Sequence, residues 1–186
     1  MSVESGDQDR IRPCGFSHVA VVTADLDSFR AFYEDVVGLE TMVVFGGGPG
    51  HGRQAILMAG DVMLQVFERS GYNPTTSGFS AAMFERGRLD HLGFTVTDMR
   101  GLTAMRDRLL AVGASSGDIR PLGPMLSVRF SDPDGFESEI NCYKPDFDPS
   151  TMRDDDEIVD PDWLHRAKQV LHADQQAHRY PTEETS

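Results

Sequence analysis

The sequence predicts an α+β fold made of two tandem βαβββ modules followed by a C-terminal helix. Three observations point to it. The segment Phe16-Ser-His18-Val-Ala-Val-Val-Thr-Ala-Asp25 is repeated as Leu89-Asp-His91-Leu-Gly-Phe-Thr-Val-Thr-Asp98, with His and Asp displaced by the same 73 residues and no gap between them. The same succession of strand, helix and three further strand signals follows each copy. Beyond Pro145 an acidic stretch leads to a separate helix start at Asp160-Pro161.

Residues 1–14 are polar and acidic and read as a flexible leader. In the first module, 15–72, Phe16 to Thr23 is an apolar, β-branched run of strand length. Asp25-Leu-Asp-Ser28 supplies N-cap chemistry for a helix through Val37, with Leu26, Phe29, Phe32, Tyr33 and Val36 as its apolar face and Gly38 as its stop. Strands are expected at Glu40 to Phe45, at Arg53 to Ala59 after a glycine-rich turn, and at Val62 to Glu68 after a tight Gly60-Asp61 hairpin. Loop chemistry over 73–88 links the modules. The second module, 89–145, repeats the order with a strand over Leu89 to Thr97 and a helix from Gly101 to Val112 that ends at Gly113. A weakly marked strand follows near Ser115 to Arg120, then Met125 to Ser131, a Pro-Asp-Gly turn, and Phe136 to Tyr143. Over 146–186 lie an acidic linker and a helix to about His178, with Leu164, Ala167 and Leu171 in one stripe. That helix can cover a cleft, cap a sheet edge or bind another subunit, so a homodimer is among the expected states.

The net charge of −13 is uneven: Asp146 to Ser186 holds eleven Asp/Glu against four Lys/Arg, so −7 sits in the tail. With no basic cluster to displace counterions, nucleic acid and anionic membranes are not expected partners. Cys14 and Cys142 form no disulfide framework and no Cys-x-x-Cys pair, and the N-terminus shows no signal-peptide pattern, so a cytoplasmic location is expected. Arg53, Arg86, Arg88, Arg120 and Arg129 are spread out, and no cluster marks a cradle for glutathione or coenzyme A.

A histidine at the same place in two copies of a fold suggests two ligands converging on one pseudo-symmetric site. Strand side chains alternate, so His18 shares a face with Ala20 and Val22, and His91 with Gly93 and Thr95. The bulky opposite faces are expected to pack on the helix of their own module, leaving the His faces to line a cavity. The last strand of each module then offers an oxygen donor. Parity puts Glu137 and Glu139 on one face, and a carboxylate there is costly unless paired or bound to a metal. Gln65 occupies the corresponding point of the first module; the repeat arithmetic is off by one residue, and parity selects Glu139.

These pieces, His-Val-Ala-Val with Asp25, Phe-Tyr-Glu-Asp-Val-Val-Gly-Leu at 32–39, His-Leu-Gly-Phe with Asp98, and Asp-Pro-Asp-Gly followed by Glu139, resemble the vicinal oxygen chelate superfamily over Phe16 to Tyr143. That superfamily includes glyoxalase I, methylmalonyl-CoA epimerase, extradiol dioxygenases and the fosfomycin and bleomycin resistance proteins. The resemblance implies a curved, barrel-like mixed sheet around a metal cleft, with His18, Gln65, His91 and Glu139 as ligands of a divalent ion. Glu137, His51 and Arg129 are candidate substrate contacts; Glu137 reads equally as a solvated strand-mouth residue, and His51 as a surface residue of the glycine-rich turn.

Two imidazoles and two oxygen donors suit Ni, Co, Zn, Mn or Fe(II). With open positions the ion would chelate an oxygenated small-molecule substrate and stabilise an enediolate or enolate, with Glu139 as the base. A metal-dependent lyase or isomerase, glyoxalase- or epimerase-like, is therefore the leading expectation. His18, His91 and Glu139 alone also form a two-His-one-carboxylate triad suited to an Fe(II) extradiol-type dioxygenase. A non-catalytic drug- or metabolite-binding resistance protein is the third reading.

Overall fold

The computed structural model describes residues 16–48, 52–73 and 89–148, together with Asp162, His165, Arg166 and Gln169 of the tail. Along the first module run β1 (His18–Thr23), α1 (Leu26–Ala31) continuing into a π-helical stretch (Phe32–Val37), β2 (Glu40–Phe45), β3 (Gln54–Ala59) and β4 (Val62–Glu68). The second contains β5 (Leu92–Thr95), α2 (Met99–Ala111), β6 (Ile119–Leu122), β7 (Met125–Ser131) and β8 (Glu137–Tyr143). They form two four-stranded mixed sheets, ordered β1-β4-β3-β2 and β5-β8-β7-β6. In each, the first strand runs parallel to the last and the remaining pairs are antiparallel. The tandem βαβββ expectation holds, and the sheets are not closed into one barrel.

The repeated aspartates are helix caps. Asp25 Oδ1 accepts from the backbone N–H of Asp27 and Ser28 at 3.0 and 3.1 Å, and Asp98 Oδ1 accepts from that of Gly101 at 2.9 Å. Ser28, first through its backbone N–H and then through its hydroxyl, holds the Asp25 carboxyl below the usual range. The first helix ends at Gly38, whose φ of 86° suits a residue without Cβ, and the Gly38 N–H donates to the Tyr33 carbonyl.

Strand alternation settles which faces are inside. Val19 and Val21 pack inward with Leu64 and Val66, and Leu92 and Phe94 pack inward with Val128 and Ile140, all in one core with Leu26, Phe29 and Tyr33 of the first module and Leu102, Met105 and Leu109 of α2. Alternation alone predicts that each sheet packs on its own helix; in the structure the first module's helical segment also reaches across to the other sheet. Its Phe32 ring lies 5.9 Å from Phe130, and the Tyr33 ring 6.2 Å from Phe94. The Tyr33 hydroxyl donates to Asp132 Oδ2 at 3.1 Å, a buried hydrogen bond between modules.

Two strands are placed differently from expectation. The β5 pairing begins at Leu92 opposite Ser138, so His91 lies just before the strand. The weak strand lies at Ile119–Leu122, because Ser115 is taken up in a turn: its hydroxyl donates to the Arg129 carbonyl and accepts from the Gly117 N–H. In the tail, His165, Arg166 and Gln169 are helical, and the Arg166 N–H donates to the Asp162 carbonyl at 3.0 Å, a helical i to i+4 bond; the other residues of the expected tail helix lie outside the described residues. Among the described residues no helix is long and apolar enough to cross a membrane.

Candidate functional site

In the parallel pairs, Ala20 of β1 lies opposite Gln65 of β4, and Gly93 of β5 lies opposite Glu139 of β8. Ala20 and Gly93 stand two residues after His18 and His91, so Gln65 and Glu139 occupy equivalent places. The off-by-one repeat arithmetic thus reflects one extra residue between β5 and β8, absorbed outside the pairing. Register preserves the face, because a one-residue slip would invert every side chain.

Both histidines have one ring nitrogen engaged by the preceding residue. His18 Nδ1 lies 3.0 Å from Ser17 Oγ, and His91 Nδ1 lies 2.8 Å from Asp90 Oδ2. A neighbouring hydrogen bond of this kind at one nitrogen fixes the orientation of an imidazole ring and the tautomer that its other nitrogen, Nε2, presents.

Glu139 is the most enclosed of the four, at 6% exposure. Its Oε2 accepts from Ser127 Oγ at 2.8 Å and its Oε1 from Asn141 Nδ2 at 3.3 Å. Gly93 makes room for this arrangement: a Cβ there would stand 3.3 Å from Asn141 Nδ2 and 3.5 Å from Glu139 Oε1. Ser127 and Asn141 are hydrogen-bond partners of Glu139 that periodicity and motif do not single out. Asn141 follows Glu139 by two residues on the same face, and it pairs with Ser127 across β7 and β8. Period-2 parity carried one step beyond Glu139 points to it.

The four residues fall into two pairs rather than one set. His18 and Gln65 belong to the first sheet, and His91 and Glu139 to the second. Among the described residues, no three His, Cys, Asp or Glu side chains gather as a metal-binding group. The chemistry of the donors fits a divalent ion; their placement within one chain does not complete its shell. Nor do the His faces enclose the expected cavity. A cavity of about 470 Å³ opens instead between the inner faces, lined by Val19 and Leu64 on one side and by Leu92, Phe94 and Ile140 on the other. His18, Ala20 and Val22 face away from it and are exposed.

Of the candidate substrate contacts, Arg129 lies opposite Glu139 on the neighbouring strand and is exposed, and Glu137 is half-buried at the start of β8. His51 lies outside the described residues. Arg53 is committed to structure: its guanidinium donates to both carboxylate oxygens of Asp27 and of Glu68, at 2.7 to 3.0 Å. Those bonds from Arg53 hold the Glu68 carboxyl down at about 2. Arg120 pairs with Asp118 at 3.2 Å.

The junction of the modules holds a second polar cluster. Asp132 Oδ1 accepts from the backbone N–H of Asp134 and Phe136, and its Oδ2 accepts from Tyr33. Asp134 Oδ1 in turn accepts from the Ala24 N–H at 3.3 Å, a second link between the modules. Burial raises the Asp132 carboxyl to about 6, with the charge of Asp134 adding to the effect. Burial, and then the Asp132 charge, push the Tyr33 phenol well above its usual value.

The paired βαβββ architecture is shared with solved structures. A glyoxylase/bleomycin resistance protein/dioxygenase domain from Frankia sp. EAN1pec is 24% identical, with a TM-score of 0.59 over 72% of this chain and 100% of that one. A glyoxalase family protein from Enterococcus faecalis is 22% identical, with a TM-score of 0.56 over 69% of this chain and 98% of its own. A point mutant of the fosfomycin resistance protein FosX from Listeria monocytogenes, complexed with Mn(II) and 1S,2S-dihydroxypropylphosphonic acid, is 18% identical, with a TM-score of 0.54 over 72% of this chain and 96% of its own. Among curated proteins none matches the chain. A family model matches residues 15–140, spanning both modules from before β1 into β8. On that match, the chain belongs to the Glyoxalase/Bleomycin resistance protein/Dioxygenase superfamily.

Proposed function

We propose that the protein is a metal-dependent lyase or isomerase that moves a proton on an oxygenated small molecule. In this reading Glu139 is the base, and His18, Gln65, His91 and Glu139 are the donors for a divalent ion: Ni, Co, Zn, Mn or Fe. The observation that carries it is the setting of Glu139. This carboxylate is 6% exposed and is held by two neutral donors, Ser127 and Asn141, opposite a glycine. Each oxygen accepts one of these bonds, and its remaining lone pair can meet a cation or the proton of a substrate. The two hydrogen bonds fix its direction, which a general base needs in order to meet one particular proton. Each histidine, tied at Nδ1, has Nε2 left for a metal or a substrate oxygen.

Since the two donor pairs lie on different sheets, this reading takes the protein as a homodimer in which His18 and Gln65 of one copy meet His91 and Glu139 of the other. The outer strands β1 and β5 are where such copies would join.

A divalent ion, when bound, supplies Lewis-acid polarisation of a substrate carbonyl. The Listeria FosX structure holds Mn(II) and a dihydroxy acid in a protein of the same fold, which supports this cofactor and substrate class. Arg129 and Glu137 are candidates to contact the polar end of a substrate.

The test is proton exchange. Protein loaded with Ni(II), Co(II) or Mn(II) should carry deuterium from D₂O into the α position of at least one of three classes: hydroxy-ketones, thiohemiacetals or 2-substituted acyl thioesters. Glu139→Gln should slow that exchange by about 100-fold or more. Absence of exchange across all three classes overturns the reading. Oxygen uptake with Fe(II) and catechols would show the same residues working as an extradiol-type dioxygenase.

A further inference from the structure

We propose that the site takes a small amphipathic carboxylate, its charged end on Arg129 of the second sheet and its apolar body on the outer face of the first. The proposal rests on the reading above, in which those two faces meet across a pair of copies and a divalent ion offsets the charges of Glu137 and Glu139. The repeat places unlike side chains at like positions. Ile56 of β3 lies opposite Gln65 of β4, and Arg129 of β7 lies opposite Glu139 of β8. Ile56 and Arg129 are 73 residues apart, the spacing of the repeated histidines and aspartates, so they are one position written twice. Met63 and Phe67 stand two residues either side of Gln65, where Glu137 and Asn141 stand either side of Glu139. The neutral donor therefore has apolar neighbours and the ionisable donor polar ones.

Strand register puts Val22, Val43, Ile56, Met58, Met63 and Phe67 on the same side of the first sheet as His18 and Gln65. All six are exposed or half-buried, while Ala55, Leu57, Leu64 and Val66 fill the opposite, core side. Among the described residues, Glu40 on the edge strand β2 is the carboxylate that the register adds to this face. A contiguous apolar surface of this kind marks a binding face. A protein surface pressed on it would also shut the Gln65 amide and the His18 ring away from water, which is costly for polar groups left unpaired. A small molecule covers the apolar side chains and leaves those donors reachable.

Arg129 supplies the opposite chemistry. Glu139, its cross-strand neighbour, takes hydrogen bonds from Ser127 and Asn141 instead, and the exposed Arg129 guanidinium forms no ion pair among the described residues. Arg53 and Arg120, by contrast, are paired with carboxylates. An uncommitted guanidinium offers a planar fork that meets a carboxylate with two parallel hydrogen bonds. Cross-strand neighbours stand about 5 Å apart at Cβ, so an anion docked on Arg129 brings the carbon beside it within reach of the base. This narrows the substrate classes named above to members that carry a carboxylate at one end and an apolar group at the other.

Phenylacetate, acetate and phenylacetamide separate the two ends, titrated into the full-length protein in the presence of Zn(II) by calorimetry and protein NMR. Phenylacetate should bind at least roughly tenfold more tightly than acetate, which lacks the apolar body, and than phenylacetamide, which lacks the charge. Arg129→Gln should weaken phenylacetate roughly tenfold and leave phenylacetamide nearly unchanged. Ile56→Thr should weaken both phenyl compounds about threefold and leave acetate as it is. Arg108→Gln, on α2 at the core side of the second sheet, should change none of the three. No binding of phenylacetate up to about 10 mM, equal binding of phenylacetamide, or wild-type affinity in Arg129→Gln would each overturn the proposal. If Ile56→Thr does not fold, the three probes on wild type and Arg129→Gln still decide. Binding is read without turnover, so this pattern in a protein that exchanges no proton supports the proposal and counts against the lyase or isomerase reading alone.

Discussion

Replacing Asp132 with Asn should stabilise the protein at pH 7.5 and leave it nearly unchanged near pH 4. Asp132 lies at the module junction, 8% exposed, and accepts from Tyr33, Asp134 and Phe136. Burial raises its carboxyl from the ordinary 3.8 to about 6, so the folded state binds the proton more tightly than the unfolded chain. The stabilisation from that proton is fully present below about pH 4 and is lost as the pH rises through 6. About two pH units at 1.36 kcal/mol each make the loss about 3 kcal/mol. Asn keeps the Oδ1 acceptor for the two backbone N–H groups, and its amide donates to the Tyr33 oxygen. It removes the buried charge at the expense of one charge-assisted hydrogen bond, of the order of 1 kcal/mol. The net gain at pH 7.5 is therefore about 2 kcal/mol, which at a urea m-value of about 2 kcal/mol/M moves the midpoint up by about 1 M. Urea unfolding of both proteins at pH 4.5, 5.5, 6.5 and 7.5 reads this directly. A midpoint difference that stays constant over the series would refute the assignment of a buried, titrating carboxyl to this position.

Tyr33→Phe should cost about 1–2 kcal/mol at pH 7.5 and less at pH 4.5, because the lost hydroxyl donates to a carboxylate only when Asp132 is ionised; the same urea series measures it. Gly93→Ala should leave the melting temperature within a few degrees of wild type but weaken cobalt binding several-fold in a chelator titration, because its Cβ would crowd Asn141 and Glu139. Glu68→Gln should destabilise by about 1 kcal/mol at pH 7, measured by urea unfolding. Since Arg53 holds the Glu68 carboxyl at about 2, that stabilisation is present above the ordinary carboxylate range and disappears as the pH falls toward 2, where the two proteins should converge.

Features with a local physical signature are legible in the sequence. Gly38, the Gly60-Asp61 hairpin and the capping aspartates announce backbone geometry through their own chemistry, and β2, β4 and β7 run as expected. The inward faces of β1 and β5 follow from alternation alone. What periodicity does not carry is the identity of the covering layer. It marks Phe32 and Tyr33 as apolar positions but is silent on their reaching Phe130 and Phe94 in the other module. The π-helical winding of Phe32–Val37 passes for a simple continuation of the helix, because it keeps the apolar residues on one side. At the candidate site, parity links Gln65 with Glu139 despite the one-residue mismatch. Ser127 and Asn141 carry no signal of their own because Ser and Asn on a strand are common, and only the neighbouring carboxylate gives them meaning.

The aromatic bridge from the first helical segment into the second sheet bears on how the molecule comes apart. A tandem duplication invites the picture of two units melting one after the other. Here Tyr33 is buried among residues of both halves and donates to Asp132 across the junction, so removing either half strips the other of its interior. Unfolding should then be a single cooperative event, with calorimetric and van't Hoff enthalpies in agreement. An isolated copy of the repeat, cut within 73–88, would be left with an exposed aromatic ridge in place of a core.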